Sequence, residues 1–256
     1  MAYELPDSDE MDIARGVQAA RKAFDKWSKT TADHRFQILM RIAAGIEARL
    51  DALALAECED VGKPLALARS LDIPRAVQNF KFFATKILHK QEMSTDMDGQ
   101  ALNYVLRSPV GVAGLISPWN LPLYLLSWKI APALSVGNTV VCKPSEWTPK
   151  TAYLLAEVLQ EAGLPEGVCN IVFGKGEVAG ATLAAHPGVP LISFTGGIDT
   201  GRKILAAGID SFKRISLELG GKNPMVVMPD ADLDLVATGV MWSGFGTAGQ
   251  RCTSLG

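Results

Sequence analysis

From Val110 onward the chain alternates short apolar runs with stretches of helical spacing, and this alternation constrains the fold more than any other feature. Val110–Ile116 reads as a buried strand, and Asn138–Cys142, Val168–Phe173, Leu191–Phe194 and Ile215–Leu219 read as further strands. Apolar runs without polar alternation suit strands covered on both faces, the situation of a parallel sheet whose crossovers are helices. Helices are predicted between the strands: Leu121–Leu134, one opened by Thr148-Pro149 as N-cap and first helical residue and closed at Gly163 before Pro165, and others from about Val178 and Thr200. The expected class is α/β, a Rossmann-like parallel sheet with helices on both faces.

The first ninety residues read as helices. Ile13, Val17, Ala20 and Phe24 form one apolar stripe over Met11–Trp27. A second helix is predicted over Ala32–Asp60, and a third runs from Pro64 to Leu88 with a break or kink at Pro74. Residues 92–108 turn polar and alternating around Asp98-Gly99, a turn dipeptide, and read as a two-stranded excursion.

Composition excludes several functions. A net charge of −2 and lysines scattered at helical spacing (Lys81, Lys86, Lys90) give no nucleic-acid footprint. The uncharged stretch Ser108–Trp128 is long enough to span a bilayer, but Pro109, Pro118 and Pro122 break it, so no membrane span is expected. Met1–Glu10 holds four acids and no apolar run, so no signal peptide is read there. Cys58, Cys142, Cys169 and Cys252 lie far apart without a CxxC pair, which argues against a metal site or disulfide framework and for a reducing, cytoplasmic setting. His34, His89 and His186 have no carboxylate at triad-like spacing.

Several residues could carry chemistry. Cys252 follows Gly244, Gly246 and Gly249, where backbone can approach a ligand; a cysteine attacks as the thiolate. Glu218 ends an apolar strand before Gly220-Gly221, at the sheet edge where such folds hold functional groups, and burial there would raise its pKa toward that of a general base. Asn120 lies in a loop bounded by Pro118 and Pro122. Lys143 and Glu146 follow a strand. Gly196, Gly197 and Gly201 lie between a strand and a helix, where N–H groups can meet a diphosphate. Gly174-Lys175-Gly176 reads equally well as a turn. Taken singly, each of these has a bland alternative: a core thiol, a strand-end glutamate paired with Lys222, a turn asparagine, a surface turn.

Together, Gly249-Gln250-Arg251-Cys252, Leu217–Lys222, Ser117-Pro118-Trp119-Asn120 and Lys143-Pro144-Ser145-Glu146 resemble the aldehyde dehydrogenase superfamily, and the resemblance runs from about Glu10 to Gly256. It implies that Cys252 is the nucleophile toward a small-molecule aldehyde. Asn120, with a backbone N–H, would hold the oxyanion, and Glu218 would activate the water that hydrolyses a thioester. It implies NAD contacts at Ile116, Ser117, Trp119, Lys143, Ser145, Glu146, Phe194, Thr195, Gly196, Gly197, Gly201 and Leu219, with Lys143 and Glu146 at the adenosine ribose, where the Glu146 carboxylate would accept from ribose hydroxyls and repel a 2′-phosphate, favouring NAD over NADP. Many relatives carry serine where this chain has Gly197. Family chains begin earlier and run further, so a fragment is expected: 1–91 and 109–219 an NAD-binding domain, 92–108 an oligomerisation hairpin, and 220–256 the start of a catalytic domain. A full-length homo-oligomer is implied. Within the superfamily, Leu65–Arg75, Val77–Phe80 and the loop through Leu126–Lys129 look like those of 2-aminomuconic and 2-hydroxymuconic semialdehyde dehydrogenases, which makes Arg75 a candidate clamp for a substrate carboxylate, with a structural helix arginine as the equal alternative. A nucleotide-binding fragment without turnover and an NAD-independent thiol esterase remain open alternatives.

Overall fold

A computed structural model describes residues 5–255; Met1–Glu4 and Gly256, the outer ends of the expected first and last segments, lie outside the described residues. Helix α1 (Glu10–Trp27) begins with a reciprocal capping box: Asp12 N–H donates to the Asp9 carboxylate and Asp9 N–H to that of Asp12. The long second helix predicted from sequence is two, α2 (Ala32–Ala48) and α3 (Leu50–Val61), broken at Arg49, whose φ/ψ of −107°/20° leaves the helical basin. The break lets α2 pack on neighbouring helices while α3 turns toward the segment that follows it.

A short helix α4 (Leu65–Leu67) runs through a wide π turn (Ala68–Asp72) into α5 (Ile73–Leu88). Pro74 has no N–H for the ladder, and the π turn just before it absorbs the mismatch, so the expected kink at Pro74 is found as this bulge. Strands β1 (Ser94–Asp96) and β2 (Leu102–Tyr104) then pair antiparallel around Asp98 and Gly99, both at positive φ. Every residue of the two strands is exposed.

The body of the fold is a five-stranded sheet in the order β5-β4-β3-β6-β7, parallel throughout. Its members are β3 (Val112–Ile116), β4 (Thr139–Lys143), β5 (Cys169–Ile171), β6 (Leu191–Gly196) and β7 (Arg214–Leu219), joined by α6 (Pro122–Ser135), α7 (Lys150–Glu161), α8 (Ala181–Ala185) and α9 (Ile198–Gly208). Helix α10 (Leu233–Phe245) follows. Strands β3 and β4 are buried at every position, as their unbroken apolar runs require. Ala113, Leu115, Val140 and Cys142 enter one core with α2, α5, α6 and α7, while Val112, Ile116 and Val141 enter the other with α1, α8 and α9. None of the helices among the described residues is long and apolar enough to cross a membrane.

The chain runs outward from β3 to β5 on one side and resumes at β6 on the other, so the strand order reverses between β3 and β6. Crevices at the carboxyl ends of such reversals bind ligands. At the far edge, β7 is covered on one side only: Ile215, Leu217 and Leu219 pack into the second core, while Arg214, Ser216 and Glu218 face outward.

The start of α7 departs from expectation. Thr148 does not cap it: its Oγ1 is buried without a partner, and the helix begins at Lys150. Lys150 N–H donates instead to Asp60 Oδ2 at 2.9 Å, so α3 supplies the cap from 90 residues away.

Candidate active site

The carboxyl ends of β3, β4, β6 and β7 surround an open cavity of about 930 Å³. Ile116, Ser117, Trp119, Lys143, Ser145, Glu146, Phe194, Thr195, Gly196, Gly197 and Leu219 line it, as does the loop Gly249–Cys252. Three expected residues do not: Gly201, Arg75 and Glu218. Gly201, on the buried face of α9, has a packing role: a Cβ there would lie 3.0 Å from Leu219 Cδ2, so glycine lets the helix close on β7. Arg75 is exposed on α5, outside the cavity lining, with its guanidinium 5.8 Å from the Tyr124 ring centroid.

At one end of the cavity Lys143 Nζ donates to Glu146 Oε2 at 2.5 Å and Gly176 N–H donates to Glu146 Oε1 at 3.1 Å. Burial would push the Glu146 carboxyl up, but these donors outweigh it and hold the group below its ordinary value, an anion with fixed orientation. Gly176 therefore belongs to the site. Its glycine pair was visible in the sequence, but the partner that gives it meaning lies 30 residues upstream.

At the other end, Asn120 Nδ2 donates to the Gln250 carbonyl at 2.6 Å, and Asn120 Oδ1 accepts from Leu121 N–H at 3.1 Å. The amide is thus turned toward the loop that carries Cys252. That loop is also tied to the segment after β7: Asn223 Nδ2 donates to the carbonyls of Cys252 (2.7 Å) and Ser254 (3.1 Å). The Cys252 thiol is exposed; Cys142 is buried, and Cys58 and Cys169 are partly buried, as core thiols should be.

Glu218 corrects an expectation. It is exposed on the open face of β7 and does not line the cavity, so the burial expected there is absent. The residue that burial does perturb on that side is Lys129, in α6, within the helix expected over Leu121–Leu134. Its ammonium donates to Ser193 Oγ at 2.9 Å, and burial pushes its pKa down to about 8, with the Glu218 carboxylate pulling the other way. Lys129 is the first charge after the uncharged run Ser108–Trp128, a signal available in the sequence.

A thiol and a side-chain amide on adjoining loops, at one end of a cleft whose other end holds an oriented carboxylate, define a class: a nucleotide-cleft α/β protein equipped for covalent chemistry. Comparison with known proteins narrows the class. The aldehyde dehydrogenase family pattern matches residues 1–256, and the chain belongs to that family. It is 50% identical over 250 residues to a 2-aminomuconic semialdehyde dehydrogenase of Danio rerio, covering 97% of this chain and 51% of that protein. It is 48% identical over 252 residues to a 2-hydroxymuconic semialdehyde dehydrogenase of Pseudomonas sp. (strain CF600), covering 96% and 52%. An NAD+ complex of an aldehyde dehydrogenase from Bacillus cereus superposes with a TM-score of 0.94 at 37% identity, over 97% of this chain and 51% of that one. The chain thus spans about half the length of the relatives it matches.

Proposed function

We propose that this chain carries the cofactor cleft and nucleophile of an enzyme that oxidises a carboxylate-bearing semialdehyde to its acid with NAD. One observation carries the reading: the Asn120 amide is already turned onto the Cys252 loop. Cys252 thiolate adds to the aldehyde carbon, and Asn120 Nδ2 exchanges the Gln250 carbonyl for the developing oxyanion. A bound nicotinamide dinucleotide supplies the hydride acceptor. Its fit rests on Glu146, held by Lys143 and Gly176 as an acceptor for ribose hydroxyls, and on Gly197 at the N-terminus of α9, able to meet a diphosphate. Glu218, exposed on β7 directly before the cavity-lining Leu219, Gly220 and Gly221, takes a proton from the water that attacks the thioester, releasing the acid and the thiolate. Arg75, exposed on α5 beside the Tyr124 ring, is the candidate clamp for the distal carboxylate. Residues 1–91 and 109–219 form the cofactor domain, and the exposed β1–β2 hairpin is the oligomerisation element.

The test is a rapid-mixing assay with NAD and a muconic-type semialdehyde. A burst of reduced nicotinamide, abolished in Cys252→Ala while calorimetric NAD binding persists, supports the reading; saturable NAD binding without turnover sinks it. That second outcome has its own support. Helix α10 buries none of its side chains, and Leu233, Leu235, Met241, Trp242 and Phe245 are exposed.

A further inference from the structure

Beneath the Asn120 loop lies a charged cluster that the proposed chemistry does not use. Lys63 Nζ donates to Glu57 Oε1 (3.0 Å), Asp72 Oδ2 (2.8 Å) and the Asn120 carbonyl (3.2 Å). The Lys63 side chain is 2% exposed and both carboxylates are fully buried. Gly62, at φ 78°, ends α3 in the left-handed region and turns Lys63 back under the helix that carries Glu57. Three ammonium donors meet three acceptors, from α3, the π turn and the Asn120 loop.

We infer that Lys63 is a positioning residue for Asn120, holding the peptide group that aims its side-chain amide. The Asn120 carbonyl lies one residue ahead of the α6 ladder, whose first acceptor is Leu121, bonded by Leu125 N–H at 2.9 Å. The Asn120–Leu121 peptide is gripped from both sides, its carbonyl by Lys63 and its N–H by Asn120 Oδ1. With Oδ1 engaged, Nδ2 is left facing the Cys252 loop. Pro118 and Pro122 fix their own φ angles, and Pro122 also keeps Leu121 out of the helical basin, but neither fixes ψ of Asn120, so the prolines alone do not set this peptide's orientation. Glu57 and Asp72 keep the ammonium in place: an unpaired cation would not remain so deeply buried. The inference rests on the oxyanion role proposed for Asn120.

Lys63→Met alone leaves two buried carboxylates facing each other and is expected to unfold the protein, so the informative variant is the neutral triple Glu57→Gln/Lys63→Met/Asp72→Asn. Amide hydrogen exchange at Leu121, calorimetric NAD binding and steady-state turnover are measured on the parent, the triple variant, and the single Glu57→Gln and Asp72→Asn variants that keep the ammonium. The expected result for the folded triple variant is Leu121 exchange at least about tenfold faster and kcat about 10- to 100-fold lower, part of the 10²–10³ an oxyanion donor supplies. NAD affinity should stay within about twofold, and the singles should hold kcat within about threefold of the parent. A folded triple variant with unchanged Leu121 exchange, or with faster exchange and unchanged kcat, overturns the inference. Where the parent itself shows no turnover, the functional reading fails, and the exchange at Leu121 alone decides whether Lys63 holds the loop.

Discussion

Glu57 makes the buried cluster measurable as a pH dependence of stability. Its carboxyl is fully buried, and desolvation drives its pKa from 4.5 to about 7 even though Lys63 pulls downward by charge and hydrogen bond; Asp72 adds a further upward push. The Leu123 backbone contributes a weak downward pull from the start of α6, yet Glu57 Oε2 makes no hydrogen bond of ordinary geometry. Between pH 4.5 and 7 the folded chain retains a proton on Glu57 that the unfolded chain releases. The stability from this group is therefore fully present below 4.5, is lost as pH rises to about 7, and stays lost above. At 1.36 kcal/mol per pKa unit, about 2–3 kcal/mol disappears between pH 5 and pH 8. Glu57→Gln keeps an acceptor for Lys63 and removes the titration. Urea unfolding of parent and variant at pH 5, 6, 7 and 8 isolates the term, because every other titrating group cancels in the difference. The variant should gain about 2–3 kcal/mol relative to the parent across that range. A difference that does not vary with pH would refute the argument.

Three further outcomes are expected. Glu146→Gln removes the anion that opposes a 2′-phosphate, so calorimetry should find the preference for NAD over NADP reduced by about tenfold; a ratio unchanged within twofold counts against Glu146 as selector. In Lys129, burial lowers the folded pKa from 10.5 to about 8, so between these values the unfolded chain binds a proton that the folded chain lacks, and stability rises with pH. Lys129→Met should remove a gain of about 3 kcal/mol spread over that window, measured by denaturant unfolding at pH 8, 9 and 10, and an identical slope in parent and variant would contradict the burial argument. Arg75→Ala should raise KM for a carboxylated semialdehyde by about 10- to 100-fold while leaving a neutral aldehyde unaffected; equal effects on both would remove Arg75 from the substrate site.

How much of this was legible in the chain follows from the range of each interaction. Strands β3 and β4 are readable because burial on both faces imprints itself on consecutive residues, and the Asp98-Gly99 turn because its backbone demands are local. The break at Arg49 and the capping of α7 by Asp60 were not readable, since what α3 packs against and where its Asp60 carboxylate reaches are decided by packing between segments distant in sequence. Glu218 belongs to the same group: a run ending in a carboxylate reads as buried, but whether anything covers that face of an edge strand depends on residues outside the run.

The buried lysines carry this reasoning one step further. In sequence, Lys63 follows Gly62 and precedes Pro64, the signature of an exposed turn, and lysine is among the residues least often buried. What turns it into the support for Asn120 is the joint arrival of Glu57, six residues back, Asp72, nine ahead, and a loop 57 residues away. No single window contains all three. The cluster also explains why a π turn is tolerated at Ala68–Asp72: the wide turn ends on Asp72, whose carboxylate is one of the two that hold the ammonium under the loop. Straightening that turn would rotate Asp72 away and leave Lys63 with one buried carboxylate, so the irregularity in the helix and the orientation of the Asn120 amide are parts of one arrangement.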